Sequence, residues 1–287
     1  MPNLPSNKLW ELRWPEVDAI DRDSSLIILP TGAIEQHGHH LPLDTDIHNP
    51  TEIALRVAEE SRTGSTGTVL VAPPVWWGTS PHHLAYPGTI SLRMQTASDL
   101  IHDICASLLR NGFYRILILN GHGGNAGVMS ATALRMSEEL GISVAFASYW
   151  TLIQDTLRDI GDTPLGGMGH GCEMETSLQL HLRSERVAMD LARSDMPRLL
   201  TSYSSIDFRY PGPVVLPWDF VRDSVTGTMG DPTTATAEKG DAIAEAATSR
   251  VLQLVEELLA LGERDLRTGS MAERKANLAQ GATATAP

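Results

Sequence analysis

Short apolar runs alternate along the chain with segments whose apolar positions recur at helical spacing. Residues 25–29 and 115–119 (Arg-Ile-Leu-Ile-Leu) read as buried strands, and 69–72 and 143–148 as further strands. Residues 50–60 follow the first strand with helical spacing and a proline near the start. Residues 94–110 place Ile101, Ile104, Leu108 and Leu109 on one helical face, and 126–140, 171–182 and 234–261 read as further helices. Strands and helices in alternation predict a mainly parallel sheet with helices on both faces. No internal repeat or linker divides the chain. The expectation is one α/β domain over residues 1–263, followed by a mobile tail at 264–287, rich in Ala, Thr and charge. Residues 183–229 are irregular and carry several prolines. They read as a long surface excursion, forming an oligomer interface or the rim of a site.

Composition narrows the function. Hydrophobic residues make up 42% of the 287 and charged residues 20%, ordinary values for a globular enzyme. The formal net charge of −13 argues against nucleic acid and anionic membranes as main partners, since both require a positive face. No apolar run is long enough to span a bilayer, and Met1-Pro2-Asn3-Leu4-Pro5 is not a basic-then-apolar leader. Cys105 and Cys172 stand far apart, which speaks against a disulfide framework and fits a reducing cytoplasm.

The candidate chemistry lies in three polar clusters, two of them directly after strands. Ligands of open α/β sheets bind at the carboxyl ends of the strands. Residues 35–48 pack one Glu, four His and two Asp into fourteen positions. Carboxylate and imidazole together suit zinc, manganese or iron(II), and a carboxylate can bridge two such ions. Glu35 and His37 are two apart and point to one side of an extended segment, while Asp46 lies where the loop folds back. The second cluster, Asn120-Gly121-His122-Gly123-Gly124-Asn125, presents His122 at a strand end within a turn that three glycines sharpen. It lacks the Lys of a phosphate-binding loop. The third cluster runs from His170 through Glu173 and Glu175. Glu173 suits a metal shell and His170 a proton shuttle. Acids complementing a helix N-terminus are the competing reading, nearly as good for Glu175. Trp76, Trp77 and Trp150 are candidates for an apolar substrate wall, although a Trp in a core is the commoner case. His82, His83 and the segment Tyr86-Pro87-Gly88-Thr89 read as an ordered loop near a pocket.

Taken together, these segments resemble the creatininase (creatinine amidohydrolase) family. The matching pieces are Gly32-Ala33-Ile34-Glu35-Gln36-His37-Gly38-His39-His40, Asp44-Thr45-Asp46, Tyr86-Pro87-Gly88-Thr89 and the glycine turn around His122. Ser148-Tyr149-Trp150, His170 with Glu175-Thr176-Ser177, and Gly230-Asp231-Pro232 before Ala235-Thr236-Ala237-Glu238-Lys239-Gly240 continue the match. The resemblance implies a single α/β domain, two divalent metal ions, commonly zinc or manganese, and a homohexamer. It implies Glu35, Asp46 and His122 as ligands of one ion, His37 and the bridging Asp46 as ligands of the other, and His170 as the proton-transfer residue. Creatininase proper carries an aromatic residue and a ligating Glu where this chain has Gly123 and Gly124. Glu173 is therefore expected to supply the missing ligand, with Glu175 as the fallback.

The expected reaction is hydrolysis of a C–N bond in a small amide, cyclic amide or formamide. A metal-activated water would attack the carbonyl, the glycine turn at Gly123 and Gly124 would hold the oxyanion, and His170 would protonate the leaving nitrogen. Creatinine itself is not expected as the substrate, because Gly166-Gly167-Met168-Gly169 stands where creatininase proper has a Trp shortly before the His. Ring opening at a C–C bond of a cyclic ketone is the alternative reaction, and a purely structural metal the non-catalytic one.

Overall fold

The computed structural model describes residues 4–64 and 67–269. The four expected strands form as β1 (Ser25–Thr31), β2 (Thr68–Val71), β3 (Ile116–Asn120) and β4 (Ala145–Ser148), all parallel, in the order β2-β1-β3-β4. Successive side chains of the central strands enter two different cores. Leu26, Ile28, Leu117 and Leu119 enter the first, and Ile27, Leu29, Ile116 and Ile118 the second. Both faces are covered, which is why these strands are apolar at nearly every position.

The helices are α1 (Trp14–Asp18), α2 (Thr45–Gly64), α3 (Met94–Arg110), α4 (Ala126–Glu139), α5 (Gln154–Ile160), α6 (Glu173–Arg183), α7 (Phe220–Asp223), α8 (Ala237–Ala260) and α9 (Glu263–Leu266). The first core is closed by α2 through Ile53 and Val57, by α8 through Val251 and Val255, and by α6 through Met174 and Leu178. The second is closed by α3 through Ile101 and Cys105 and by α4 through Met129 and Met136. This is the single α/β domain with a doubly covered parallel sheet that the alternation predicts. Among the described residues no helix is long and apolar enough to cross a membrane.

Three departures from the sequence reading bear on the site. Helix α2 begins at Thr45 rather than at Pro50, so Asp46 lies in its first turn. Pro50 has no N–H to give to the carbonyl four residues back, that of Asp46. His170 lies on a strand, β5 (Met168–His170), which pairs antiparallel with β6 (Met229–Gly230). Finally, residues 264–267, expected as the start of a mobile tail, are placed against the domain. Leu266, on α9, is buried in the second core, and Arg267 bridges to Ile142. Residues 270–287 of that expected tail lie outside the described residues.

Candidate metal centre

The carboxyl ends of β1 and β3 and the first turn of α2 converge. A Cβ on Gly32 would sit 2.5 Å from the Asp46 carbonyl oxygen, and one on Gly121 only 2.0 Å from it. The approach therefore requires glycine at the exit of both strands. It places Asp46 between two imidazoles, with Oδ1 2.9 Å from His37 Nε2 and Oδ2 2.8 Å from His122 Nδ1. Glu35 Oε1 lies 3.3 Å from His122 Nδ1, 3.3 Å from His83 Nε2 and 3.6 Å from His170 Nδ1. Glu175 Oε1 approaches His37 Nε2 to 3.9 Å. All of these side chains are buried.

The outer nitrogens of the imidazoles are held by the backbone. His37 Nδ1 donates to the Glu35 carbonyl at 3.1 Å, and His122 Nε2 to the Thr79 carbonyl at 3.1 Å. The opposite nitrogens face the cleft and, once a cation takes the place of their hydrogens, would offer it their lone pairs, as in metal-ligating histidines. Glu35 Oε2 and Asp46 Oδ2 are buried without a hydrogen bond, although Asp46 Oδ2 touches His122 Nδ1. Orphaned buried carboxylate oxygens are costly unless a cation satisfies them. One donor atom from each of Glu35, His37 and Asp46 lies within 4.8 Å of the others, and the same holds for His37, His170 and Glu175. The residues thus fit divalent cations of the zinc class.

The electrostatics follow from this crowding. Burial opposes charge on Glu35, but His122 and His83 hold its carboxyl well below the usual range. Burial opposes the His37 imidazolium too, and Asp46, Glu175 and Glu35 outweigh it, raising its pKa to about 10. Glu175 is pushed up by burial to about 7, with His37 pulling the other way. His170 is held well below 6.5 by burial and by the neighbouring His37 and His83, so it is a neutral imidazole near pH 7.

The sequence and the fold match a known family. The family model for creatininase (creatinine amidohydrolase) matches residues 10–255. The chain belongs to the creatininase family. Creatinine amidohydrolase of Pseudomonas putida is 31% identical over 263 residues, covering 86% of this chain and 95% of that one. The mycofactocin precursor peptide peptidase of Mycolicibacterium smegmatis is 31% identical over 76% of this chain and 79% of its own length. Among solved structures, a mutant creatininase of Zn-Zn type superposes with a TM-score of 0.75 at 29% identity, covering 90% of this chain and 100% of that one. The chain is accordingly a metal-dependent amidohydrolase of the creatininase family.

Within this creatininase-family site, the structure brings together Glu35, His37, Asp46, His122, His170 and Glu175. Glu173 does not join them, which corrects the first choice between the two acids. Its carboxylate is ion-paired with Lys239 and accepts from Thr163 Oγ1 at 2.8 Å and from the Asp162 amide at 3.1 Å. Glu175, two residues on, turns toward the cleft, with its other oxygen held by the Cys172 amide at 3.4 Å. Trp150 is also corrected: it lies in the first core, 4.9 Å from the Phe208 ring and 5.3 Å from Tyr149. Gly123 is exposed, and a Cβ there would meet nothing within 4 Å. At Gly124 a Cβ would meet His122 Nε2 at 2.4 Å and the Thr79 carbonyl at 2.5 Å. A larger residue there would have to displace the His122 ring.

The apolar wall comes from an element that sequence reasoning left without a role. Phe220, on α7, sets its ring 4.0 Å from His83 and 4.9 Å from His170. The irregular segment thus contributes to the rim of the cleft. The available signal was Asp219, an N-cap whose side chain accepts from the amides of Val221 and Arg222. His83 belongs to the cluster rather than to a nearby loop, and Gln36, sandwiched between two candidate ligands, contacts it. Nothing in the local sequence marks Gln36, since its partners are remote.

Proposed function

We propose that this enzyme holds two divalent cations, Zn2+ or Mn2+, with Fe2+ chemically admissible, and hydrolyses a C–N bond in a small amide, cyclic amide or formamide. Glu35, Asp46 and His122 would hold one ion, and His37, Asp46 and Glu175 the other, with Asp46 shared. The observation that carries this reading is the position of Asp46, whose two oxygens face two imidazole nitrogens at 2.9 and 2.8 Å. When bound, such cations supply Lewis acidity and acidify water near neutral pH. His170, a neutral imidazole with Nδ1 3.6 Å from Glu35 Oε1, takes up a proton at Nδ1 and passes it to the leaving nitrogen. Phe220, packed against His83 and His170, gives that side of the cleft an apolar face. The open space at Gly123 leaves room for substrate where the creatininase turn carries a side chain. Assembly as a homohexamer and a cytoplasmic location belong to the same proposal. The family resemblance supports the first, and the free thiols of Cys105 and Cys172 the second.

The test is metal analysis followed by assay of lactams, cyclic ureas and formamides for release of amine, ammonia or formate. Stripped protein is expected to be inactive and to recover with zinc or manganese. Turnover of a cyclic ketone with no amine product would overturn the C–N assignment. His170→Ala is expected to keep its metal and to lose about 10²–10⁴-fold in kcat. Loss of metal in that variant would make His170 a ligand, since its ring lies within ligand range of His37 and Glu175.

A further inference from the structure

The side chain of Gln36 has one possible orientation. Its Oε1 accepts from the Gly38 amide at 2.8 Å, and its Nε2 donates to the Gly227 carbonyl at 2.7 Å. A reversed amide would set donor against donor and acceptor against acceptor. Nε2 carries two hydrogens, and Gly227 takes one. Two imidazole nitrogens compete for the second, His83 Nδ1 at 2.9 Å and His170 Nε2 at 3.1 Å. His170 Nε2 also lies 2.6 Å from the Gln36 carbonyl oxygen, which can only accept. That nitrogen therefore bears a hydrogen and cannot receive one. The second amide hydrogen goes to His83 Nδ1, so the hydrogen of His83 is on Nε2. His83 Nε2 is buried, makes no hydrogen bond among the described residues, and lies 3.3 Å from Glu35 Oε1.

We propose that Gln36 is a positioning residue that sets the tautomers of two imidazoles, making His83 an N–H donor rather than a metal ligand and leaving His170 a bare Nδ1. The inference rests on the reading of the cleft as a divalent-metal site, and it decides which imidazoles a cation can use. Glu35, His83 and His170 alone could offer a complete donor set, since one atom from each lies within 4.8 Å of the others. A hydrogen on His83 Nε2 closes that set and directs cations to the side of Asp46. The same hydrogen sets an N–H 3.3 Å from Glu35 Oε1 and leaves the unpartnered Oε2 for a cation. Orienting groups of this kind are typically worth 10–100-fold in metal affinity or activity, by order of magnitude.

The experiment is solid-state 15N NMR of zinc-loaded, [15N]histidine-labelled protein, with the His83 signals identified by their loss in His83→Gln. The expected result is an unprotonated Nδ1 and a protonated Nε2 on His83, and a protonated Nε2 on His170. In Gln36→Glu, which cannot donate, His83 is expected to move its hydrogen to Nδ1 and expose Nε2 to zinc, with zinc affinity or turnover falling about 10–100-fold. A zinc-bound Nε2 or a protonated Nδ1 on His83 in the wild type would overturn the proposal. So would unchanged tautomers in a folded Gln36→Glu. If that variant does not fold, the wild-type spectrum decides alone. The readout does not require turnover. Expected tautomers without amidase activity would remove the functional reading and keep the role of Gln36, whereas amidase activity with the opposite tautomers would do the reverse.

Discussion

Glu173 and Glu175 stand two residues apart at the start of α6 and serve different parts of the molecule. A helix turns about 100° per residue, so positions two apart face nearly opposite ways. Glu173 turns to Lys239 on α8, and Glu175 to His37. Local sequence offers two acids beside a histidine and no means of choosing between them. The choice is made by α8, some sixty residues later, which brings a cation to one of the two. Substitution separates the roles. Glu175→Gln is expected to lose about half of the bound metal, and Asp46→Ala nearly all of it, as read by metal analysis. Glu173→Gln is expected to keep its metal and to lose about 1–3 kcal/mol of stability in urea unfolding, because Lys239 is left without its buried partner. Metal loss in Glu173→Gln equal to that in Glu175→Gln would reverse the assignment.

At the scale of elements, the site is a junction of two strand ends with one helix start. The strands were legible because β1 and β3 are buried on both faces, which demands nearly uninterrupted apolar runs. The start of α2 was misread because a proline ordinarily marks a first turn, whereas here Pro50 lies within the helix. The cost of its missing N–H falls on the Asp46 carbonyl, the group that Gly32 and Gly121 admit between the strand ends. Gly121→Ala would force that carbonyl or the Pro50 ring aside, since both lie within 2.6 Å of the new Cβ. The expected outcome is a loss of about 1–3 kcal/mol in stability together with weakened zinc binding in titration. Weakened folding with unchanged zinc affinity would show that the junction does not hold Asp46 in place.

Across the whole molecule, the buried cleft couples protons to stability. Without metal, Asp46, Glu175 and Glu35 overcome burial and raise His37 from 6.5 to about 10. Between those values the folded protein keeps a proton that the unfolded chain has released, so the stability it contributes falls as pH rises. Glu175, raised by burial from 4.5 to about 7, slopes the same way over its lower window. Burial holds His40, His48 and His82 at about 4, which gives the opposite slope, but only up to their ordinary 6.5. The melting temperature of metal-stripped protein is therefore expected to fall between about pH 7 and about pH 9. Zinc-loaded protein should show a weaker fall, because the cation takes the place of the proton and binds more tightly as pH rises. A metal-free melting temperature that rises over that interval would contradict the charge state assigned to His37.

The alternation of apolar runs and helical periods was sufficient for the doubly covered parallel sheet, because burial on two faces leaves its mark at every strand position. The residue types of the three polar clusters were sufficient for a carboxylate–imidazole metal chemistry, because few other uses gather such groups at strand ends. Neither could choose between Glu173 and Glu175, place Trp150 in a core, or bring Phe220, His83 and Gln36 to the cleft. Those outcomes depend on partners far away in sequence: Lys239 from α8, Phe208 and Phe220 from the irregular segment, and the Gly227 carbonyl that orients the Gln36 amide. Local pattern records which face of an element is buried, and only packing decides which distant group that face meets.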